Sequence, residues 1–365
     1  MAARQELKYY CSYMEPLIKW YGGLEGKTEL VKSMMPRNFE NYYEPFLGGG
    51  AVFFSMDGRT CFVNDKCRDL MHIYRLVKKE DKQFMSQFKM MCKAWKYMEV
   101  AYLPILEELQ EVAIRNANGA YHEFIKLVED VNALVDQIHY GDIFHYAIPD
   151  PVDFKMEKRH QVIQEIVRME RQVELDDEDI EFNLKLALKQ SVFAFLTEVL
   201  NRKSADSEIR SAALTFILNT SADVPYRKDQ FREIRLPFGG KKVFDVNLRE
   251  KVRILTSAKL KRHMERTTLC NMNALEFLKK YEPTADDFVL LDPPDEVKKS
   301  VGTWCYSTEE YKALADFLIH GCDAKWMLLV KPNNSNIPEY KAAHLRVQRI
   351  EELDKVIVKN YYMTG

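Results

Sequence analysis

No apolar run in this 365-residue, 42.9 kDa chain approaches the ~20 residues that a membrane-spanning helix needs; Phe288-Val289-Leu290-Leu291 has only the length of a strand. Met1 to Tyr10 lacks a charged segment leading into an apolar core, so no secretory signal is expected and the cytoplasm is the expected compartment. Seven cysteines (11, 61, 67, 92, 270, 305 and 322) are scattered without a Cys-x-x-Cys pair, which argues against a disulfide framework and a zinc site. The eight histidines form no ligand-spaced cluster, so no metal is expected. Charge of one sign is also missing, the net being −2, which on its face argues against a nucleic-acid binder, since those neutralise phosphates with Lys and Arg. The distribution is nevertheless uneven: Arg227 to Arg266 holds thirteen Lys/Arg against five Asp/Glu, and Glu174 to Glu181 holds six acids and no base. Segregation of this kind fits one basic face, or alternatively a helix with one solvated side.

What is present is enough apolar material, 47% of residues, for one large or two ordinary domains. The most informative stretch is Glu44-Pro45-Phe46-Leu47-Gly48-Gly49-Gly50-Ala51-Val52-Phe53-Phe54. Tyr42-Tyr43-Glu44 reads as the end of a strand and Ala51 to Met56 as the start of a helix, with glycines between them that let the backbone turn tightly against a ligand. Arg59 to Asp65 then reads as a second strand ending in a carboxylate, giving a βαβ unit. An acid at that place can accept two hydrogen bonds from a ribose diol; Asp65 is the candidate, with a helix N-cap for Lys66 to Val77 as the structural alternative.

The middle of the chain is of another kind. From about Lys79 to Leu200 apolar residues recur at helical spacing: Phe124, Leu127, Val128, Val131, Leu134, Val135 and Ile138 form one stripe, and Val162, Ile163, Ile166, Val167 and Val173 another. A helical insertion is expected there, broken near Gly141 and at Pro149-Asp150-Pro151. Strand signals return with Phe288 to Leu291, Trp326 to Val330 and Lys355 to Val358, and a helix is expected over Thr308 to His320, capped by Ser307 or Thr308.

Ile18-Lys19-Trp20-Tyr21-Gly22-Gly23, then Glu44 to Phe54, then Leu291-Asp292-Pro293-Pro294 resemble, in that order, the Dam-like (D12 class) S-adenosylmethionine-dependent DNA adenine-N6 methyltransferases. Phe62 to Val77 is similar to that family's ribose-binding strand and following helix, and Leu214 to Asn219 with Leu236-Pro237-Phe238-Gly239 to the stretch around its recognition hairpin. Asn334-Ser335 and Asn360-Tyr361-Tyr362 fall where the family has its last core strands. The resemblance implies an α/β fold: a Rossmann-like methyltransferase with a mostly parallel sheet, formed by residues 1–78 and 245–365, plus a helical insertion and target-recognition region over 79–244. It also implies S-adenosyl-L-methionine as cofactor and double-stranded DNA as partner; such methylation could serve restriction, replication control or protection of a mobile element. A protein partner for the insertion is a further expectation.

By that resemblance, Asp292 and the Pro293 carbonyl, with Pro294 and Asp295 completing the loop, would meet the adenine amino group. N6 is a poor nucleophile because its lone pair is delocalised, and acceptors for both N6 hydrogens favour a more nucleophilic nitrogen. The cofactor would be met by Lys19 and Trp20 at its methionine end, by Glu44, Pro45, Phe46, Gly48 and Gly50, by Asp65 at the ribose, by Asn273 at the adenine amino group, and by Asp292. Arg227, Lys228, Arg232, Arg235, Lys241 and Lys242 would contact DNA phosphates or guanines.

The sequence departs from the pattern at Asp295, where the family has an aromatic ring that stacks on the flipped base; Trp304 or Tyr306, a few residues on, is the candidate to supply the missing ring. Asp295 thus leaves a second expectation, a nucleic-acid-binding relative whose transfer is weakened or lost and which acts through its helical insertion; a third, methylation of RNA or of a free base, stands because nothing in the sequence distinguishes the polymer.

Overall fold

A computed structural model describes residues 14–121, 123–138, 151–170, 176–229, 231–297 and 306–361. Cys11, Gly141, Pro149, Asp150, Val173, Trp304, Cys305 and Tyr362 lie outside the described residues. The chain divides into two compact units, one comprising 1–17, 22–71 and 256–365, the other 18–21 and 72–255.

The first unit holds an open sheet. Its strands are β1 (Asn41–Glu44), β2 (Thr60–Asn64), β3 (Thr267–Cys270), β4 (Phe288–Leu291), β7 (Lys325–Val330), β8 (Arg346–Ile350) and β9 (Lys355–Lys359); β5 (Glu296–Val297) and β6 (Tyr306–Ser307) form a separate two-stranded pair. The order across the sheet is β3-β2-β1-β4-β7-β9-β8. The pairs from β3 to β7 are parallel, whereas β9 runs antiparallel to both β7 and β8. β4 and β7 are continuous apolar runs because both their faces are covered, the pattern of buried parallel strands. Val289, Leu291, Trp326, Leu328 and Val330 pack on one face with Phe277 and Leu278 of the helix Ala274–Tyr281 and with Tyr311, Leu314 and Leu318 of the helix Thr308–His320. The Trp326 indole N–H donates to the Leu318 carbonyl at 3.1 Å, so the largest buried side chain is also satisfied. Ser307 and Glu310 form a capping box at the start of Thr308–His320, as the residues flanking the cap suggest.

From β1 the sheet grows through β2 to β3 on one side, and the chain then returns to the other side of β1 as β4. That reversal opens a crevice beyond the carboxyl ends of β1 and β4, where ligands bind in open α/β sheets. At the opposite end Asp287, just before β4, accepts from the Asn41 backbone N–H and side-chain amide and from the Thr284 N–H, tying the starts of β1 and β4 together.

One expectation fails here. Instead of a helix from Ala51, the chain makes a single 3-10 turn, Phe53–Ser55. Phe53 and Phe54 are wholly buried, and Gly58, at a φ of +76°, turns the chain into β2 before a longer helix can form.

The second unit is built of helices: Lys82–Tyr97, Leu106–Ala117, Phe124–Val135, Pro151–Met169, Asp177–Asn201, Ser207–Thr220 and Leu248–Leu255 among the described residues. Asp176 caps the 25-residue helix Asp177–Asn201, and Asp177, Glu178 and Asp179 fill its first turn, so the acidic run serves a helix N-terminus. Leu127, Val131 and Val135 bury one stripe and Val162 and Ile166 the other, but Phe124, expected in the first stripe, is 62% exposed at its helix's start.

Candidate active site

The loop after β1 is shaped by two glycines with positive φ, Gly48 at +50° and Gly50 at +70°. A Cβ on Gly50 would come within 3.2 Å of the Phe53 and Phe54 rings, so glycine is required there by both conformation and space. The Leu47 N–H bonds to the Asn64 carbonyl at the end of β2, and the Asn64 side-chain amide reaches the Pro45 and Met272 carbonyls. One asparagine thereby ties the loops after β1, β2 and β3 together.

Asp65 lies at the tip of β2. Its carboxylate accepts from the Gly48 N–H at 3.0 Å and the Cys67 N–H at 2.8 Å. The helix that follows begins at Arg68, and the Cys67 sulfur accepts from the Leu70 N–H; Asp65 itself bridges to the glycine loop. Burial pushes its pKa up to about 6 against the pull of those two N–H bonds. Two donors leave lone pairs on both oxygens for a diol.

Glu44 ends β1. It is buried, accepts from the Tyr42 hydroxyl at 2.7 Å, and has its pKa pushed up to about 8, mainly by burial and then by the neighbouring charge of Asp292. Asp292 follows β4 directly, so both carboxyls stand at the crevice. Burial raises the pKa of Asp292, the Lys355 ammonium opposes that rise, and Asp295 adds to it. The Lys355 ammonium donates to Asp292 Oδ1 in a largely buried pair. The Tyr311 hydroxyl donates to the Pro294 carbonyl at 2.7 Å, which anchors the loop. Pro293 is buried, whereas Pro294 and Asp295 are exposed.

After β3, Asn273 caps the helix Ala274–Tyr281, its Oδ1 accepting from the Leu275 N–H and its amide donating to Glu310. A second lone pair remains on Oδ1. Phe46 meets the edge of Tyr306, centroids 5.1 Å apart, and Tyr306 is buried against Tyr311 as well, so its ring is committed to packing.

The second unit holds the other expected residues. Lys19 donates through its ammonium to the Ser221 carbonyl and through its backbone to Asn219, and Trp20 stacks on Tyr226 with centroids 5.7 Å apart. Arg227, Lys228, Arg232, Arg235, Lys241 and Lys242 are exposed. Arg235 faces Glu233, Asp229 and Glu198, while the Lys241 ammonium sits 5.0 Å from the Phe182 ring. Lys228 pairs with Ile234 in an antiparallel bridge; beyond it Asp229 accepts from the Phe231 and Glu233 N–H groups, and Phe231 is 71% exposed.

Lys355, Tyr311 and Phe231 have no local signal in the sequence. Lys355 lies 63 residues from its partner, and only the antiparallel course of β9, which starts at the edge where β4 ends, brings them together.

A doubly wound sheet in this order, with an acid-and-glycine loop after β1 and Asp-Pro-Pro after β4, is a Rossmann-like methyltransferase fold. The D12 class N6 adenine-specific DNA methyltransferase family, whose resemblance the motifs carry, matches residues 20–136. That stretch contains Trp20, the Glu44 loop and Asp65 and ends before Asp292; the family implies a methyl donor. Type II methyltransferase M1.LlaDCHI of Lactococcus lactis subsp. cremoris is 32% identical over 73 residues, 20% of this chain and 26% of that protein. Type II methyltransferase M.MjaIII of Methanocaldococcus jannaschii is 32% identical over 76 residues, 18% of this chain and 26% of that protein. The DNA N-6-adenine-methyltransferase of Escherichia phage P1 is 30% identical over 76 residues, 21% of this chain and 10% of that protein. The matches thus span about a quarter or less of these relatives' lengths.

Proposed function

We propose that this protein transfers a methyl group from S-adenosyl-L-methionine to N6 of an adenine flipped out of double-stranded DNA. The observation that carries the reading is the meeting, at the switch point of the sheet, of the Glu44 glycine loop with Asp292-Pro293-Pro294. The donor set fits the cofactor: Asp65 for the ribose hydroxyls, the second lone pair of Asn273 for the adenine amino group, Pro45, Phe46, Gly48 and Gly50 for the loop around it, and Glu44 and Asp292 beside the reacting end. Lys19 and Trp20 are assigned to the methionine end.

When bound, the cofactor supplies an electrophilic methyl group. Asp292 and the Pro293 carbonyl would accept hydrogen bonds from the two N6–H groups and leave the nitrogen lone pair free to attack, the one proton that N6 loses passing to the Asp292 carboxylate and on to solvent. The Tyr311 hydroxyl holds the Pro294 carbonyl and so steadies the loop on which the Pro293 carbonyl is carried. Asp295 adds no ring to the pocket.

Residues 79–244 are assigned to target recognition, with 1–78 and 245–365 carrying transfer. Exposed Arg227, Lys228, Arg232, Lys241 and Lys242 suit phosphates, Arg235 binds in competition with its neighbouring acids, and Phe231 offers an open ring for stacking. A role in restriction, as the names of two relatives suggest, follows as a further reading.

Purified protein incubated with tritiated S-adenosylmethionine should label unmethylated duplex DNA and leave RNA and free adenine unlabelled. Labelled RNA alone would replace the substrate. Cofactor binding by calorimetry without label on any nucleic acid would overturn transfer and favour the nucleic-acid-binding relative whose chemistry Asp295 has removed.

A further inference from the structure

Titratable groups face Asp292 from every element around the crevice. Glu44 and the Tyr42 hydroxyl face it from β1, Asp295 from its own loop, Tyr311 from the helix Thr308–His320, Lys331 from the end of β7 and Lys355 from β9. Asp295 therefore presses on a carboxyl that is only 12% exposed, and Glu44 joins it once ionised, above about pH 8. Of the two lysines, Lys331 also engages Asp354 at 3.4 Å. Lys355 is the one bonded to Asp292, and its own side chain is 14% exposed.

The placement follows from topology. β9 is antiparallel to β7, with Val356 opposite Val330, so the first residue of β9 emerges at the carboxyl edge where β4 delivers Asp292. Had β9 run parallel to β7, its first residue would lie at the opposite edge of the sheet. The ammonium takes Oδ1, and Oδ2 is the oxygen that remains to be assigned.

We propose that Lys355 is a positioning residue for Asp292, holding Oδ1 so that the carboxylate stays charged and turns Oδ2 toward the substrate amino group. The inference rests on the methyl-transfer reading above. Chemically it is a matter of donors and acceptors: an ionised carboxylate only accepts, whereas a protonated one carries an O–H donor that would oppose an N6–H. A buried carboxyl beside a second, charged one takes up a proton more readily unless a cation holds it ionised. Lys355 also supplies an answer to Asp295, because the extra acid in the loop is met by a cation at the same edge.

The test uses the full-length chain with carboxyl-labelled aspartate, the Asp292 resonance being assigned from its loss in Asp292→Asn. In Lys355→Met the Asp292 carboxyl should titrate higher than in the wild type by about one pH unit or more. The methylation kcat of that variant should fall about tenfold at the acid end of the wild type's working range and recover as pH rises, with the KM for S-adenosylmethionine unchanged. Lys355→Arg should restore both the titration and the pH profile, since a guanidinium also pairs with a carboxylate. An unshifted titration, or a loss of kcat equal at every pH, would overturn the inference. If the wild type methylates no nucleic acid, the reading of function fails by itself. The titration still decides whether Lys355 sets the charge of Asp292.

Discussion

Glu44 is a carboxyl folded into a place that prefers it neutral. Its pKa is pushed up to about 8, so the protonated form is favoured by folding, and that contribution is fully present below the ordinary glutamate value and lost as pH rises through about 8. The stability of the apo protein should accordingly decline between about pH 5 and pH 9, and Glu44→Gln should flatten that decline, a difference of a few kcal/mol readable from urea unfolding at several pH values. An equal slope in the variant would assign the pH dependence to other groups. Gly50 is constrained in another way. At a φ of +70° and with Phe53 and Phe54 close by, Gly50→Ala adds a strained residue and a crowded methyl. A loss of about 1–3 kcal/mol is expected in the same measurement.

The Asp292 to Asp295 loop is held from outside by the helix Thr308–His320 through Tyr311. Tyr311→Phe keeps the packing and removes the hydrogen bond to Pro294. It should lower kcat by about tenfold while leaving S-adenosylmethionine affinity, measured by calorimetry, unchanged. A matching loss of affinity would mean that the loop serves the cofactor. Much at this scale was legible in the sequence. β4, β7 and β9 stood out because strands covered on both faces have apolar interiors, Phe288 to Leu291, Trp326 to Val330 and Val356 to Val358, and Thr308–His320 because Ser307 and Glu310 make its cap. β8 was not legible: it is an edge strand reading Arg-Val-Gln-Arg-Ile, exposed or half-exposed throughout, with no apolar stretch to announce it. The 3-10 turn Phe53–Ser55 read as a helix because its apolar residues suit either, and only their complete burial and the turn at Gly58 decide between them. Asp292 itself stood out through its two prolines, whereas the tyrosine and lysine that hold it come from distant elements.

At the scale of the whole molecule, a net charge of −2 conceals an uneven distribution, with the exposed bases between Arg227 and Lys242 in the helical unit and buried carboxyls at the sheet's carboxyl edge. If those bases neutralise phosphates, the affinity for duplex DNA should fall steeply with salt, and Lys241→Ala with Lys242→Ala should make the slope shallower by about two. Phe231→Ala should cost about 1–3 kcal/mol at any salt concentration, because a stacked ring releases no counterions. An unaltered slope in the double variant would remove both lysines from the DNA-binding surface. Among the described residues no helix is long and apolar enough to cross a membrane, and no group of three His, Cys, Asp or Glu is placed to hold a metal ion. The central claim is that the Asp292 crevice directs a methyl group to N6 of adenine in DNA. It is tested most directly by digesting duplex DNA to nucleosides after incubation with the protein and S-adenosylmethionine, and identifying the methylated species by mass spectrometry against standards. N6-methyldeoxyadenosine is expected with the wild type and none with Asp292→Ala; methylated cytosine, or an undiminished yield from Asp292→Ala, would contradict transfer to N6 at Asp292.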